Sequence, residues 1–458
     1  MTKRPPNIIL TIADDHRGSA LGCAGLEPVL TPSLDALAAR GTRFTQAQHH
    51  GSCHGAVCSP SRAMLHTGIP YFQLDEALLL PTYPPSDRKV SIPPTLGQKL
   101  RGAGYHTFGT GKWHNGVHTF HPSFDSGANI FVGGMSDHWF TPVHDFDPTG
   151  AYPPEAAYLA DGFSTEIFAQ SAIDFIRSRR EDDQPFLCYC AFTAPHDPRT
   201  PPDAWRRNYI PADIPLPPNI VPAFFNDGPS PPGVKPAFDN GALDERDELI
   251  LGTPRPAAEI RRAMADYYGM ISHMDEWIGR IHRAVADTGQ LDNTIIIHTA
   301  DHGLAVGQHG LMGKQNLYQH SVHVPLIMAG PEIPSGKVSD ALCYQHDLHP
   351  TLAGLAGAGG DSSPFHSLLP VLHGAAGRTH VGSSFRNLQR SVRDSRYKLI
   401  EYRVAGDSFA ELFDLCEDPW ETRNLIDEPV FLPMISTLRR ELGRWQHEAG
   451  DSAWQPTS

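Results

Sequence analysis

Short apolar runs alternate along the chain with longer stretches whose apolar residues recur every three to four positions, the texture of an α/β protein with a mostly parallel sheet. The clearest strands are Asn7 to Ala13, His106 to Thr110, Pro185 to Thr193 and Thr294 to Thr299. Each runs into polar or charged residues: Asp14-Asp15-His16, Gly111-Lys112-Trp113-His114, Ala194-Pro195-His196-Asp197 and Ala300-Asp301-His302-Gly303. In an open parallel sheet, loops and helix N-termini collect beyond the carboxyl ends of the strands and ligands bind there. The four segments are therefore expected on one rim.

A helix is expected from Pro256 to Asp287, with Ile260, Met264, Tyr267, Ile271, Met274, Ile278 and Ile281 forming a core-facing stripe. Between Pro195 and Pro256 the chain is rich in Pro, Asn, Asp and Gly, which reads as an extended surface excursion. After Gly374 the texture changes to strand-like pieces, Arg390 to Tyr402 and Phe409 to Leu415, and then to a helix from Pro429 to Ala449. The expected organisation is a large α/β domain over residues 1–375, with helices flanking the sheet, and a smaller C-terminal antiparallel sheet-plus-helix domain over 376–458.

The 458 residues suffice for one large core and a smaller one, and no apolar run approaches the roughly 18 residues of a membrane helix. With 51 acidic residues against 37 basic ones, the net charge of -14 disfavours nucleic acid and anionic membranes as partners. An anionic ligand must meet a local cluster of positive charge. The amino terminus carries no export signal and the seven cysteines include no CxxC pair, so reduced thiols in a cytoplasm are expected, with removal of a leader from an exported chain as the alternative.

The adjacent carboxylates Asp14 and Asp15 repel each other unless a cation or hydrogen bonds offset them; alone they read first as a solvated turn. Asp301 adds a third carboxylate to the same rim, a set suited to a hard divalent cation, calcium or magnesium rather than zinc. In Cys58-Ser59-Pro60-Ser61-Arg62, Pro60 fits the first turn of a helix, which puts Cys58 where backbone N–H groups and the helix dipole favour an anionic sulfur or oxygen.

Cys58-x-Pro60-x-Arg62 resembles the pattern by which type I sulfatases of the alkaline phosphatase superfamily have a cysteine oxidised to formylglycine. Asp14-Asp15, Gly111-Lys112-Trp113-His114, Pro195-His196, Asp301-His302-Gly303 and Gly313-Lys314 follow in that family's order, and Tyr397-Lys398-Leu399-Ile400, Leu412-Phe413-Asp414-Leu415 and Asp418-Pro419 resemble its small end domain. The resemblance implies a calcium ion, with magnesium second, held by Asp14, Asp15, Asp301, His302 and the modified Cys58. It implies that Arg62 stabilises the modified side chain, Lys112 and Lys314 hold sulfate oxygens, His114 accepts a proton from the nucleophile and His196 serves the leaving group. The implied partners are a formylglycine-generating enzyme acting on the unfolded chain and a sulfate ester. A sulfated carbohydrate is preferred, with a small aryl sulfate or a phosphate or phosphonate monoester on the same fold as alternatives.

Overall fold

The structure is a computed structural model that describes residues 4–79, 91–180, 183–220, 256–359, 363–404 and 407–454. Residues 221–255 of the expected surface excursion lie outside the described residues.

Seven consecutive buried residues, Asn7–Ala13, form the central strand, and burial on both faces explains why that run lacks alternation. It pairs in parallel with Thr294–Ala300 on one side and Phe186–Ala191 on the other. The sheet continues in parallel through His106–Lys112 to Ser126–Phe131. Beyond Thr294–Ala300, Leu326–Ala329 runs antiparallel, and Thr42–Phe44 and Lys337–Ser339 complete an eight-stranded sheet. The four strands expected from sequence are thus next to one another, and they end on the same rim. Cys188 and Cys190 are core residues of their strand. None of the seven cysteines forms a disulfide.

The long helix spans Ala257–Asp287, and its predicted stripe from Ile260 to Ile281 is buried. It packs against Ser164–Ser178 and Pro32–Arg40. Asp275 fixes the last of these by accepting from the N–H groups of Ser33 and Leu34 at 2.9 and 2.8 Å, which satisfies two otherwise unpaired helix-start donors. Among the described residues, no helix is long and apolar enough to cross a membrane.

A second, five-stranded sheet contains Val381–Phe385, Gln389–Arg393, Tyr397–Val404 and Asp407–Asp414 as an antiparallel meander. The helix Leu432–Ala449 covers one face through Leu438, Leu442 and Trp445 against Val392, Leu399 and Leu412. The expected single piece from Arg390 to Tyr402 is two strands, because the Asp394 carboxylate accepts from the N–H groups of Arg396 and Tyr397 at 2.7 and 2.6 Å and closes a turn. The fifth strand is Gly51–Ser52, which pairs in parallel with Ser384 and Phe385. Gly51 has φ of 122°, and a Cβ there would lie 2.2 Å from the Ser384 carbonyl oxygen, so the approach requires glycine.

Candidate active site

Beyond the sheet, hydrogen bonds carry the strand alignment one residue further: Asp14 N–H donates to the Ala194 carbonyl at 3.0 Å and Asp301 N–H to the Ala13 carbonyl at 3.1 Å. The next backbone link is Asp15 N–H to Asp301 Oδ1 at 3.3 Å. Asp15 has φ of 71°, a left-handed conformation that aspartate tolerates better than most residues. Tyr267 holds it there, its hydroxyl donating to the Asp15 carbonyl at 2.7 Å and accepting from Arg17 N–H at 3.0 Å. The three carboxylates at these strand ends are all fully buried.

The helix Cys58–Thr67 begins at the cysteine, as Pro60 and the following residues predict. Four residues on, Arg62 lies on the same face of the helix. Its Nε donates to Asp301 Oδ2 at 2.9 Å and its Nη1 to the Lys112 carbonyl at 2.8 Å, so one guanidinium ties the helix to two strand ends. Ser61 Oγ and Gln345 Nε2 fasten the Asp301 carbonyl at 2.6 and 2.8 Å.

Two ammonium groups face the sulfur: Lys112 Nζ lies 3.7 Å and Lys314 Nζ 3.9 Å from Cys58 Sγ. Lys112 also donates to Asp14 Oδ2 and to the Gly134 carbonyl, and Lys314 to Asp15 Oδ1 at 2.8 Å. Burial pushes the Cys58 thiol up, but Lys112 and Lys314 together bring it down to about 6. Asp14 and Asp15 are raised by burial yet held well below the usual carboxylate range, Asp14 chiefly by Lys112 and Asp15 by His196 and Lys314. Asp301 goes the other way, to about 7, because burial and the Asp14 charge outweigh Arg62.

His302 Nδ1 lies 2.8 Å from the Gly303 carbonyl, an acceptor that keeps a proton on Nδ1 and turns Nε2 toward the carboxylates. That Nε2 lies 3.1 Å from Asp15 Oδ1 and 3.4 Å from Asp301 Oδ1. His196 is similarly fixed, Nδ1 to the Asp197 carbonyl at 2.7 Å, with Nε2 3.8 Å from Asp15 Oδ2. His138 anchors the His196 carbonyl at 3.0 Å. His114 is buried with neither ring nitrogen hydrogen-bonded, and burial together with Lys112 keeps it neutral. Its ring packs beside Gly134, where a Cβ would come within 2.4 Å.

Two groups of donor atoms each fit within 4.8 Å: Asp14, Cys58, Asp301 and His302, and Asp14, Asp15 and His196. Asp14 Oδ1, Asp15 Oδ2 and His302 Nε2 are buried without a hydrogen-bond donor, the arrangement expected of groups that hold a cation. The donors are mainly carboxylate oxygens, which suits a hard metal ion.

All the residues singled out for chemistry in the sequence thus converge, although His114 contacts no other member by a hydrogen bond. His49 borders them, its ring edge-on to His302 with centroids 6.3 Å apart, whereas His50 and His54 are engaged elsewhere. His49 Nδ1 accepts from Gly51 N–H, His50 packs against Trp445, and His54 Nε2 is spent on the Leu79 carbonyl. Trp113 is buried against Phe120 and Phe124. The roles of Tyr267, His138, Ser61 and Gln345 escaped the sequence reading. Periodicity put Tyr267 in the core, where it lies, but says nothing of where its hydroxyl points.

A rim that gathers three buried carboxylates and two lysine ammonium groups around a helix-terminal cysteine has the donors that a cation and an anionic ester require. The chain belongs to the sulfatase family and is a type I sulfatase of the alkaline phosphatase superfamily: the family described as Sulfatase matches residues 6–358. The family described as N-sulphoglucosamine sulphohydrolase, C-terminal, matches residues 307–448. The chain is 26% identical to an ulvan-active sulfatase of Formosa agariphila, over 97% of this chain and 82% of that one. It is 25% identical to an N-acetylglucosamine-6-O-sulfatase of Bacteroides thetaiotaomicron, over 98% and 88%. A protein solved with its substrate D-glucosamine-2-N,6-O-disulfate has the same fold, with a TM-score of 0.79 and 24% identity over 99% of both chains.

Proposed function

We propose that this sulfatase hydrolyses a sulfate monoester on a saccharide, with a formylglycine made from Cys58 as nucleophile and calcium held by Asp14, Asp15, Asp301, His302 and the modified side chain. The observation that carries this reading is the approach of Lys112 and Lys314 Nζ to Cys58 Sγ at 3.7 and 3.9 Å, beside the carboxylates. Arg62, Lys112 and Lys314 balance Asp14, Asp15 and Asp301 in the closed site when all three carboxylates are ionised. A divalent cation therefore leaves an excess of positive charge, which an anionic ester offsets. When bound, the cation supplies Lewis acidity that lowers the pKa of a hydroxyl next to it.

The side chains divide the remaining work. Lys112 and Lys314 bind the sulfate oxygens and neutralise charge as it moves during displacement at sulfur. His114, neutral and unpartnered, accepts a proton from the nucleophile's second hydroxyl, which expels sulfate and restores the aldehyde. His196 presents Nε2 to the leaving alcohol, its ring held by Asp197 and His138. Arg62 stabilises the modified side chain from the next turn of its helix while fixing Asp301.

A saccharide is supported by the ulvan-active and N-acetylglucosamine-6-O-sulfatase relatives and by the sugar disulfate bound in the similar solved structure. Cys58 is 2% exposed, which supports conversion by a formylglycine-generating enzyme before folding. The test is twofold. Mass spectrometry of the Cys58 peptide from the native host should find the aldehyde or its hydrate; a persistent thiol refutes the nucleophile. Defined sulfated saccharides, an aryl sulfate and matched phosphate monoesters should then rank with a sulfated sugar first, and a large preference for phosphate overturns the reading.

A further inference from the structure

A cavity of about 360 Å³ lies where the large sheet meets the end sheet, lined by Gly18, Arg43, Phe44, His320, His323, Arg393 and Trp420 among others. None of the catalytic or cation-site residues described above contributes to its wall. Two guanidinium groups do. Arg393 is 3% exposed, and its Nε donates to the Asp394 carbonyl at 2.9 Å. Arg43 is half-buried on the Thr42–Phe44 strand. Among the described residues, neither has a carboxylate within ion-pair distance, unlike the buried Arg17, Arg62 and Arg390. A buried guanidinium without a counter-ion is costly.

The carboxylate in the wall does not relieve this. Glu421 accepts from Lys398 Nζ at 2.7 Å and from Gln319 N–H at 2.6 Å, so its charge is shared with Lys398, and although it and Asp394 favour the charged Arg393, burial outweighs them and brings that guanidinium down to about 10. His320, 7% exposed, has both ring nitrogens without a partner. Burial, Arg393 and Arg43 hold His323 at about 4, so it adds no charge of its own. The rest of the lining includes Leu21, Leu26, Phe44 and Trp420, a broad apolar wall.

We propose that this cavity binds a small organic anion, with its oxyanion group held by Arg43 and Arg393 and its apolar body against Trp420 and Leu26. Guanidinium groups match a carboxylate or sulfate group by paired, charge-assisted hydrogen bonds, and His320 supplies a further polar contact. The site is separate from the ester-cleaving rim, and its occupant need not be a substrate.

Cys416 is exposed and lines the cavity, which gives a local readout independent of activity. The full-length enzyme is treated with iodoacetamide at constant ionic strength, with benzoate or inorganic sulfate as probe, and alkylation of the Cys416 peptide is followed by mass spectrometry. Benzoate should protect Cys416, and the half-protecting concentration should rise about tenfold or more in Arg393→Gln and in Arg43→Gln. Arg43 is only half-buried, so its variant keeps the test open if Arg393→Gln fails to fold. Protection by benzoate alone assigns recognition to both walls, and protection by sulfate as well assigns it mainly to the guanidinium groups. Absence of protection by either probe, or protection undiminished in Arg43→Gln, overturns the proposal.

Discussion

Replacing Arg62 with glutamine removes the charge that links the Cys58 helix to the Asp301 strand end. The guanidinium is fully buried, pairs with Asp301 at 2.9 Å and donates to the Lys112 carbonyl at 2.8 Å. Breaking a buried pair by removing one partner costs about 3–5 kcal/mol, because the other charge stays behind without compensation. At about 2.1 cal/mol/K per residue, a chain of 458 residues unfolds with an entropy of about 1 kcal/mol/K, so Tm should fall by about 3–5 °C. Burial and Asp14 push Asp301 up to about 7 and loss of Arg62 raises it further, so a proton relieves part of the uncompensated charge, the cost at neutral pH falls at the low end of this range, and cation affinity falls with it. Differential scanning calorimetry with and without calcium measures both effects. Tyr189→Phe, which loses only a 3.3 Å contact to the same guanidinium, should cost about 1 kcal/mol and serves as the control. In Arg62→Gln/Asp301→Asn both charges are gone, and most of the lost stability should return while activity does not. A single variant within 1 °C of the parent, or a double variant less stable than the single, refutes this account of the pair, the threshold being about 1 kcal/mol.

Lys314→Ala should lower kcat/KM for a sulfate ester by about 10²–10³-fold in steady-state assays, the range for removing one charge-stabilising donor. His196→Ala should cost about 10²–10⁴-fold on a sugar sulfate but far less on 4-nitrophenyl sulfate, whose leaving group needs no proton; equal losses exclude the leaving-group role. Chelation with EGTA should abolish turnover and lower Tm, and calcium should restore both, since Asp14 Oδ1 and Asp15 Oδ2 are otherwise buried without donors. Burial raises Glu411 from 4.5 to about 7 between the Tyr318 and Tyr402 hydroxyls, so the folded state keeps a proton that the unfolded chain releases. Its stabilising contribution is complete below pH 4.5 and lost as pH rises through about 7. Glu411→Gln should therefore gain about 3 kcal/mol on the parent between pH 4.5 and pH 8, and a parallel shift at all pH values in thermal melts excludes the linkage.

The strands that carry the site were legible because parallel strands buried on both faces are written as continuous apolar runs, and the residue after each run is necessarily at the rim. The same logic located Asp14, Asp301, Lys112 and His196 before any distance was known. Polar contacts made by core residues were not legible: Tyr267 satisfies the helix period equally whether or not its hydroxyl clamps Asp15. His138 gives no more signal, since its link to the His196 carbonyl joins segments 58 residues apart. Gly51–Ser52 was also invisible, a two-residue strand with no pattern of its own that exists because Val381–Phe385 offers it an edge.

That short strand sets a clock on the protein's synthesis. The segment leading to Cys58 is fastened by residues far along the chain: the Ser383 hydroxyl donates to the His49 carbonyl across 334 positions, beside the Gly51–Ser52 pairing. At roughly 5–20 residues per second, a ribosome needs roughly 16–65 s to make the fastening partner, Ser383, after the cysteine has been made. Throughout that interval the loop before the helix lacks the edge it docks on, which should leave the thiol easier to reach. Once Val381–Phe385 arrives, the same docking that aligns the nucleophile ends access to it. The order of elements along the chain thus gives the proposed oxidation of Cys58 a window, and slowing translation downstream of residue 58 should raise the converted fraction in a host where the oxidising enzyme is scarce.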